Sequence, residues 1–167
     1  MRFMIFQGHA TKIQVRRFFR NNYLDHALAF CYRGRCYMHM QEYKRALYDF
    51  SAAIRAEQKS PDYSNLAWYY QFSGQCNLLL GQYEEALIHF DIGLSKDETK
   101  ALYFYRGITN VSLQRFKEAL SDFENAHNIK EENMSLADKE KQEKAIPYKI
   151  LYNWGITLRR VGNEDAS

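Results

Sequence analysis

Five histidines (His9, His26, His39, His89 and His127) and three cysteines (Cys31, Cys36 and Cys76) are the side chains here best able to hold a metal or attack an electrophile. Their spacing suits neither task. No H-E-x-x-H occurs, no second histidine stands at ligand distance, and the cysteines form no C-x-x-C pair, whereas zinc needs four donors converging from short, fixed spacings. An odd number of unpaired thiols fits a reducing compartment and small buried side chains. No G-x-S-x-G elbow and no G-x-x-x-x-G-K phosphate loop is present, so the scaffolds of acyl and phosphoryl transfer are missing. Glu84 and Glu85 fall on the outward side of a helix, where they are solvated, and Asp97 with Glu98 suit the dipole at a helix start. The expectation is a chain that is not an enzyme and holds no metal or cofactor.

The pattern that does recur is made of aromatic and small residues. "GQYEEALIHFDIGL" from Gly81 is echoed by "QEYKRALYDFSAAI" from Gln41 and by "QRFKEALSDFENA" from Gln114. Tyr43, Ala46, Leu47, Phe50 and Ala53 correspond to Tyr83, Ala86, Leu87, Phe90 and Gly93, then to Phe116, Ala119, Leu120, Phe123 and Ala126. Offsets of three, four and seven lay one apolar stripe along a helix. Twelve residues before each central alanine stands a glycine: Gly34, Gly74 and Gly107. A glycine inside a helix costs about 1 kcal/mol relative to alanine, so something must offset it each time. Close approach of two antiparallel helices, glycine against alanine with the flanking aromatics interlocked, is the simplest expectation. A phosphate-cradling loop would need several glycines together after a strand.

These residues resemble the tetratricopeptide repeat, a helix-turn-helix unit of about 34 residues. The resemblance implies an all-α, right-handed superhelical solenoid of antiparallel helix pairs. Three units are expected at about residues 27–60, 64–98 and 99–130, within 23–130. The central alanines are forty apart between the first two units and thirty-three apart between the next two, so "EQKSPDYSN" is read as an insertion. Residues 131–146 form a charged linker or helical extension, with helix expected over 135–145 and Pro147 near the start of the next helix. Residues 147–167 begin a fourth unit, with Gly155 at the small-residue place and only the first helix present. Such an end is read as that of a shortened longer repeat protein, with an apolar surface open to self-association.

In this family the first helix of each pair lines the inner wall, where partners bind. Carried over residue by residue, that wall consists of Leu28, Cys31, Arg35 and Met38, then Trp68, Gln71, Gln75 and Leu78, then Ala101, Phe104, Ile108 and Val111. The partial fourth unit adds Lys149, Tyr152, Ile156 and Arg159. Trp68 and Phe104 are the candidate anchors, with the core between repeats as the alternative home for each. Co-chaperones of the family grip a chaperone's terminal carboxylate with lysines, asparagines and an arginine. The matching places here are Cys31, Arg35, Phe72, Ala101 and Tyr105. Moved one repeat along they are Gln71, Gln75, Tyr105, Lys149 and Asn153, so no tight hold on such a tail is expected. The partner implied is another protein, offering a helix or an extended segment with apolar side chains.

Composition narrows the remaining classes. The 46% hydrophobic and 26% charged residues are those of a globular protein. The net charge of +3 is concentrated in residues 1–22, which carry Arg2, Lys12, Arg16, Arg17 and Arg20 and no acid. The near-neutral remainder lacks the basic stripe of a nucleic-acid binder, and no apolar run reaches membrane-span length. The basic segment begins like a calmodulin-binding IQ motif through Ile13, Gln14, Arg16, Arg17, Phe18 and Arg20, although Phe18 stands at a place where that motif has a basic residue. A calmodulin-like or acidic-surface role for it is the alternative to a protein-binding groove, and a cytoskeletal or ciliary structural subunit is the third reading. The location expected is intracellular, in the cytoplasm.

Overall fold

The computed structural model describes residues 23–58, 65–129 and 146–164. Among them are seven helices and no strand: α1 (Tyr23–His39), α2 (Tyr43–Glu57), α3 (Leu66–Leu79), α4 (Tyr83–Leu94), α5 (Lys100–Ser112), α6 (Phe116–Asn128) and α7 (Ile146–Glu164). The basic segment with Ile13, Gln14, Arg16, Arg17, Phe18 and Arg20, the heart of the insertion and the helix expected over 135–145 lie outside the described residues. Packing is heaviest within the pairs α1/α2, α3/α4 and α5/α6, and each second helix then packs on the next first helix, ending with α6 on α7. Successive first helices also touch, α1 with α3, α3 with α5 and α5 with α7, with no comparable contact among the second helices. The stack is therefore tighter on the first-helix side, which makes that side the inside of the curve.

One turn is used three times. Gln41, Gly81 and Gln114 each adopt a left-handed backbone, with φ of 60°, 74° and 60°. The next amide donates to the carbonyl five residues back: Glu42 to Tyr37 at 2.9 Å, Gln82 to Asn77 at 2.9 Å and Arg115 to Asn110 at 2.8 Å. This satisfies carbonyls orphaned at the end of each first helix and reverses the chain. Glycine takes the left-handed conformation without penalty, whereas a residue with a Cβ loses about 1 kcal/mol. After α2 the chain takes a longer path to α3, yet its ends are tied, because buried Glu57 accepts from both the backbone and the side-chain nitrogen of Asn65 at 3.2 Å.

The repeated glycines are closed by phenylalanine rather than by alanine, which corrects the glycine-on-alanine expectation. A Cβ built on Gly34 would lie 2.9 Å from the Phe50 ring, on Gly74 2.5 Å from Phe90, and on Gly107 2.7 Å from Phe123. The ring sixteen residues on lies over the glycine backbone, while Ala46, Ala86 and Ala119 are fully buried in the same seam. Each ring is itself wholly buried, and a buried phenylalanine contributes up to about 3 kcal/mol. That contribution offsets the helix cost of its glycine.

Candidate functional site

Two residues beside each glycine-phenylalanine contact set the polarity of the pair. Arg33 and Arg106 precede Gly34 and Gly107, and Asp49 and Asp122 precede Phe50 and Phe123, so closing the helices brings each arginine to its aspartate. Arg33 holds Asp49 with two hydrogen bonds of 2.7 and 2.6 Å. Arg106 donates to Asp122 at 2.6 Å and reaches back to Asp91 of α4 at 2.6 Å, stapling two repeats together. Asn110 gives Asp122 a further bond of 2.9 Å. The middle pair exchanges both partners, for Ser73 and His89, and Asn77 lies 3.1 Å from His89 Nδ1. Burial holds the His89 imidazole below its ordinary pKa, against the opposing effects of the Ser73 backbone and Glu85.

These pairings draw aspartates to the second helices, and the wider charge follows suit. First helices α1, α3, α5 and α7 carry seven basic and two acidic residues, and second helices α2, α4 and α6 carry four basic and eight acidic. The first helices are thus net basic and the second helices net acidic.

On the inner wall, at the junction of the first two pairs, Arg35 sits among three rings. Its guanidinium carbon is 5.8 Å from the centroid of Tyr32, 5.5 Å from Trp68 and 5.4 Å from Phe72. Trp68 meets Tyr32 and Phe72 edge-on, with centroids 6.1 and 5.3 Å away, and Phe72 stacks on core Phe50 at 5.5 Å. Tyr32 is 54% exposed, Trp68, Phe72 and Arg35 are half-buried, and no carboxylate among the described residues pairs with the guanidinium. Rings that hold a half-buried cation paired with no carboxylate form a recognition surface.

The other residues carried over from the sequence divide by depth. Leu28, Met38, Gln71, Leu78, Ala101, Ile108, Val111 and Ile156 are half-buried along the first helices, and Lys149, Tyr152 and Arg159 are exposed on α7. Cys31, Gln75 and Phe104 are corrected: they are buried, at 0%, 8% and 3% exposure. Phe104 turns into the core beside Phe123 and Ile150, because the apolar stripe of α5 faces both α6 and the next first helix. Burial pushes the Cys31 and Cys76 thiols up to about 12, slightly countered at Cys31 by Arg35, so neither is a nucleophile near neutral pH. Spacing arguments missed Tyr32 as a member of the inner-wall cluster and met Phe72 only as a carried-over clamp place, although the run Trp68, Phe72 already has the one-turn offset of a shared face. Among the described residues no three His, Cys, Asp or Glu side chains converge on a metal position, and no helix is long and apolar enough to cross a membrane.

The tetratricopeptide repeat family profile matches residues 25–91. Among curated proteins no sequence matches this chain. Among solved structures, the Sgt2 tetratricopeptide domain from Aspergillus fumigatus is similar at a TM-score of 0.67 and 13% identity, covering 84% of this chain and 82% of that one. The Arabidopsis OM64 tetratricopeptide domain is similar at 0.60 and 21% identity, covering 72% and 96%. The first tetratricopeptide domain of Spaghetti (RPAP3), solved bound to the HSP90 peptide SRMEEVD, is similar at 0.66 and 14% identity, covering 83% and 95%.

Proposed function

We propose, from the premise that this chain carries tetratricopeptide repeats, that it is a non-enzymatic protein-protein interaction scaffold whose partner docks on the inner wall at the junction of the first two pairs. The Arg35 basket of Tyr32, Trp68 and Phe72 is the observation that carries this reading. Its supporting framework is rigid, since the first helices α1 and α3 that carry the basket are each locked by a ring and a capped turn, so docking orders few side chains beyond those of the partner. The place of action we infer is the cytoplasm.

The test is capture of partners by the wild-type chain and by a Tyr32→Ala/Trp68→Ala variant whose helicity and melting are unchanged. Partners held through the basket are lost with this variant and kept by a Glu84→Gln/Glu85→Gln variant of the outer wall. Partners kept by both, but lost on deleting residues 1–22, would move the function to the basic segment and its calmodulin-like or acidic-surface reading. For the peptide SRMEEVD we expect no sub-micromolar affinity, because of the carried-over places Cys31, Arg35, Phe72, Ala101 and Tyr105 only Arg35 is a cation, and Cys31 is buried. A calorimetric titration checks this.

A further inference from the structure

The fourth glycine in the series has no ring. Gly155 of α7 is in register with Gly34, Gly74 and Gly107, yet a Cβ there would meet nothing within 4 Å among the described residues. The slot is framed by Leu151 and Leu158, one turn to either side, which are 51% and 52% exposed. The packed side of the helix is finished: Ile150 and Thr157 are buried, Trp154 lies 5.8 Å from His127 of α6, and Arg160 lies over Phe116. So α7 is held at the back by α6 and, among the described residues, bare on the face that in three other pairs receives a second helix.

We propose that this face is a docking site for a partner helix that presents a phenylalanine to Gly155 and carboxylates in its first turn. The complete pairs state what such a helix must offer, and three departures of α7 from them refine it. Leu158 stands where Asn77 and Asn110 reach His89 and Asp122, so the residue before the phenylalanine is apolar rather than acidic. Trp154 stands where Arg33 and Arg106 hold their aspartates, which removes the second reason for an acid at that place. Arg159 is exposed on the rim, where the complete pairs have Met38, Leu78 and Val111. An antiparallel partner brings its first turn to this end of α7, so acids there meet Arg159 and also suit their own helix dipole.

A second copy of the chain meets these terms poorly. Its second helices already close their own glycines, and α7 against α7 offers no phenylalanine and no carboxylate in its first turn. The occupant is therefore a helix of a different kind from α7, and its chemistry is close to that of α4, which has Glu84 and Glu85 in its first turn.

The probe is a synthetic peptide of residues 83–94 carrying His89→Leu, titrated by fluorescence anisotropy into the full chain. Saturable binding is expected, weakened at least ten-fold by Gly155→Leu in the protein and by Phe90→Ala in the peptide, and several-fold by Arg159→Glu. Gly155→Leu fills open space, so its helicity and melting should match wild type or exceed it. Binding that survives Gly155→Leu, or no binding by wild type, overturns the proposal. Loss of peptide binding in the Tyr32→Ala/Trp68→Ala variant would move the site to the inner wall, whereas its retention there keeps the two surfaces separate. A concentration-dependent dimer in sedimentation that Gly155→Leu abolishes would overturn the choice of occupant in favour of a second copy.

Discussion

Gly74 and Gly155 occupy the same place in their respective first helices and have opposite surroundings. Gly74 lies under the Phe90 ring, at a separation that leaves no room for one more carbon, and Gly155 faces nothing among the described residues. A helix glycine is a cost in both. Only at Gly74 does a ring convert it into packing, so its meaning depends on the element that covers it and not on its own helix. The complete pair is a closed seam, and the described residues show only one side of such a seam at α7.

Removing the ring should have the largest effect. Phe90→Ala in the closed pair is expected to lose about 4 kcal/mol in urea unfolding, while Leu158→Ala on the open face should lose less than about 1 kcal/mol because that side chain is already half in water. Equal losses would break the distinction between closed and open pairs. Next in size is Arg106→Ala, which strands the buried carboxylate of Asp122 and releases Asp91; about 3 kcal/mol is expected. On α7, where Trp154 takes that place, Arg160→Ala removes only a cation–π contact over the Phe116 ring and should cost about 0.5 kcal/mol.

Smaller effects sharpen the same contrast. Gln114→Gly relieves a left-handed backbone at the turn of the third pair and should stabilise the chain by about 0.5 to 1 kcal/mol, whereas Gly162→Ala, in a helix that runs on without that turn, should be stabilising instead of strained. Acidification reads the middle pair. The folded His89 pKa lies below the unfolded value of about 6.5, so its contribution is intact above that value and falls as the unfolded chain takes up a proton below it. The melting temperature should therefore drop more between pH 7 and pH 5.5 in wild type than in a His89→Gln variant.

Much of this was legible in the sequence for a physical reason. Glycine, alanine and phenylalanine recur at fixed offsets because each pair must solve the same close approach, and the "RG" and "DF" dipeptides recur because the arginine and aspartate flank that contact. The middle copy, "SG" with "HF", shows both partners changing together. The ring over the glycine was harder to read, since Ala86 and Phe90 share one stripe and only the crossing geometry says which of them lies over Gly74. Phe104, Cys31 and Gln75 were misplaced for a related reason: a rotation of a few tens of degrees about the helix axis separates inner wall from core, and spacing alone does not fix it. The turns at Gln41 and Gln114 were hidden because glutamine carries no left-handed preference, unlike Gly81 at the same place.

The most direct measurement is a pair of alanine substitutions, Gly74→Ala and Gly155→Ala, compared with wild type in urea unfolding. The expected result is opposite signs: a loss of about 2 kcal/mol at Gly74, where the added carbon meets the Phe90 ring, and a gain of up to about 1 kcal/mol at Gly155, where it meets open space and improves the helix. The same sign at both positions would contradict the view that a ring closes one and nothing covers the other.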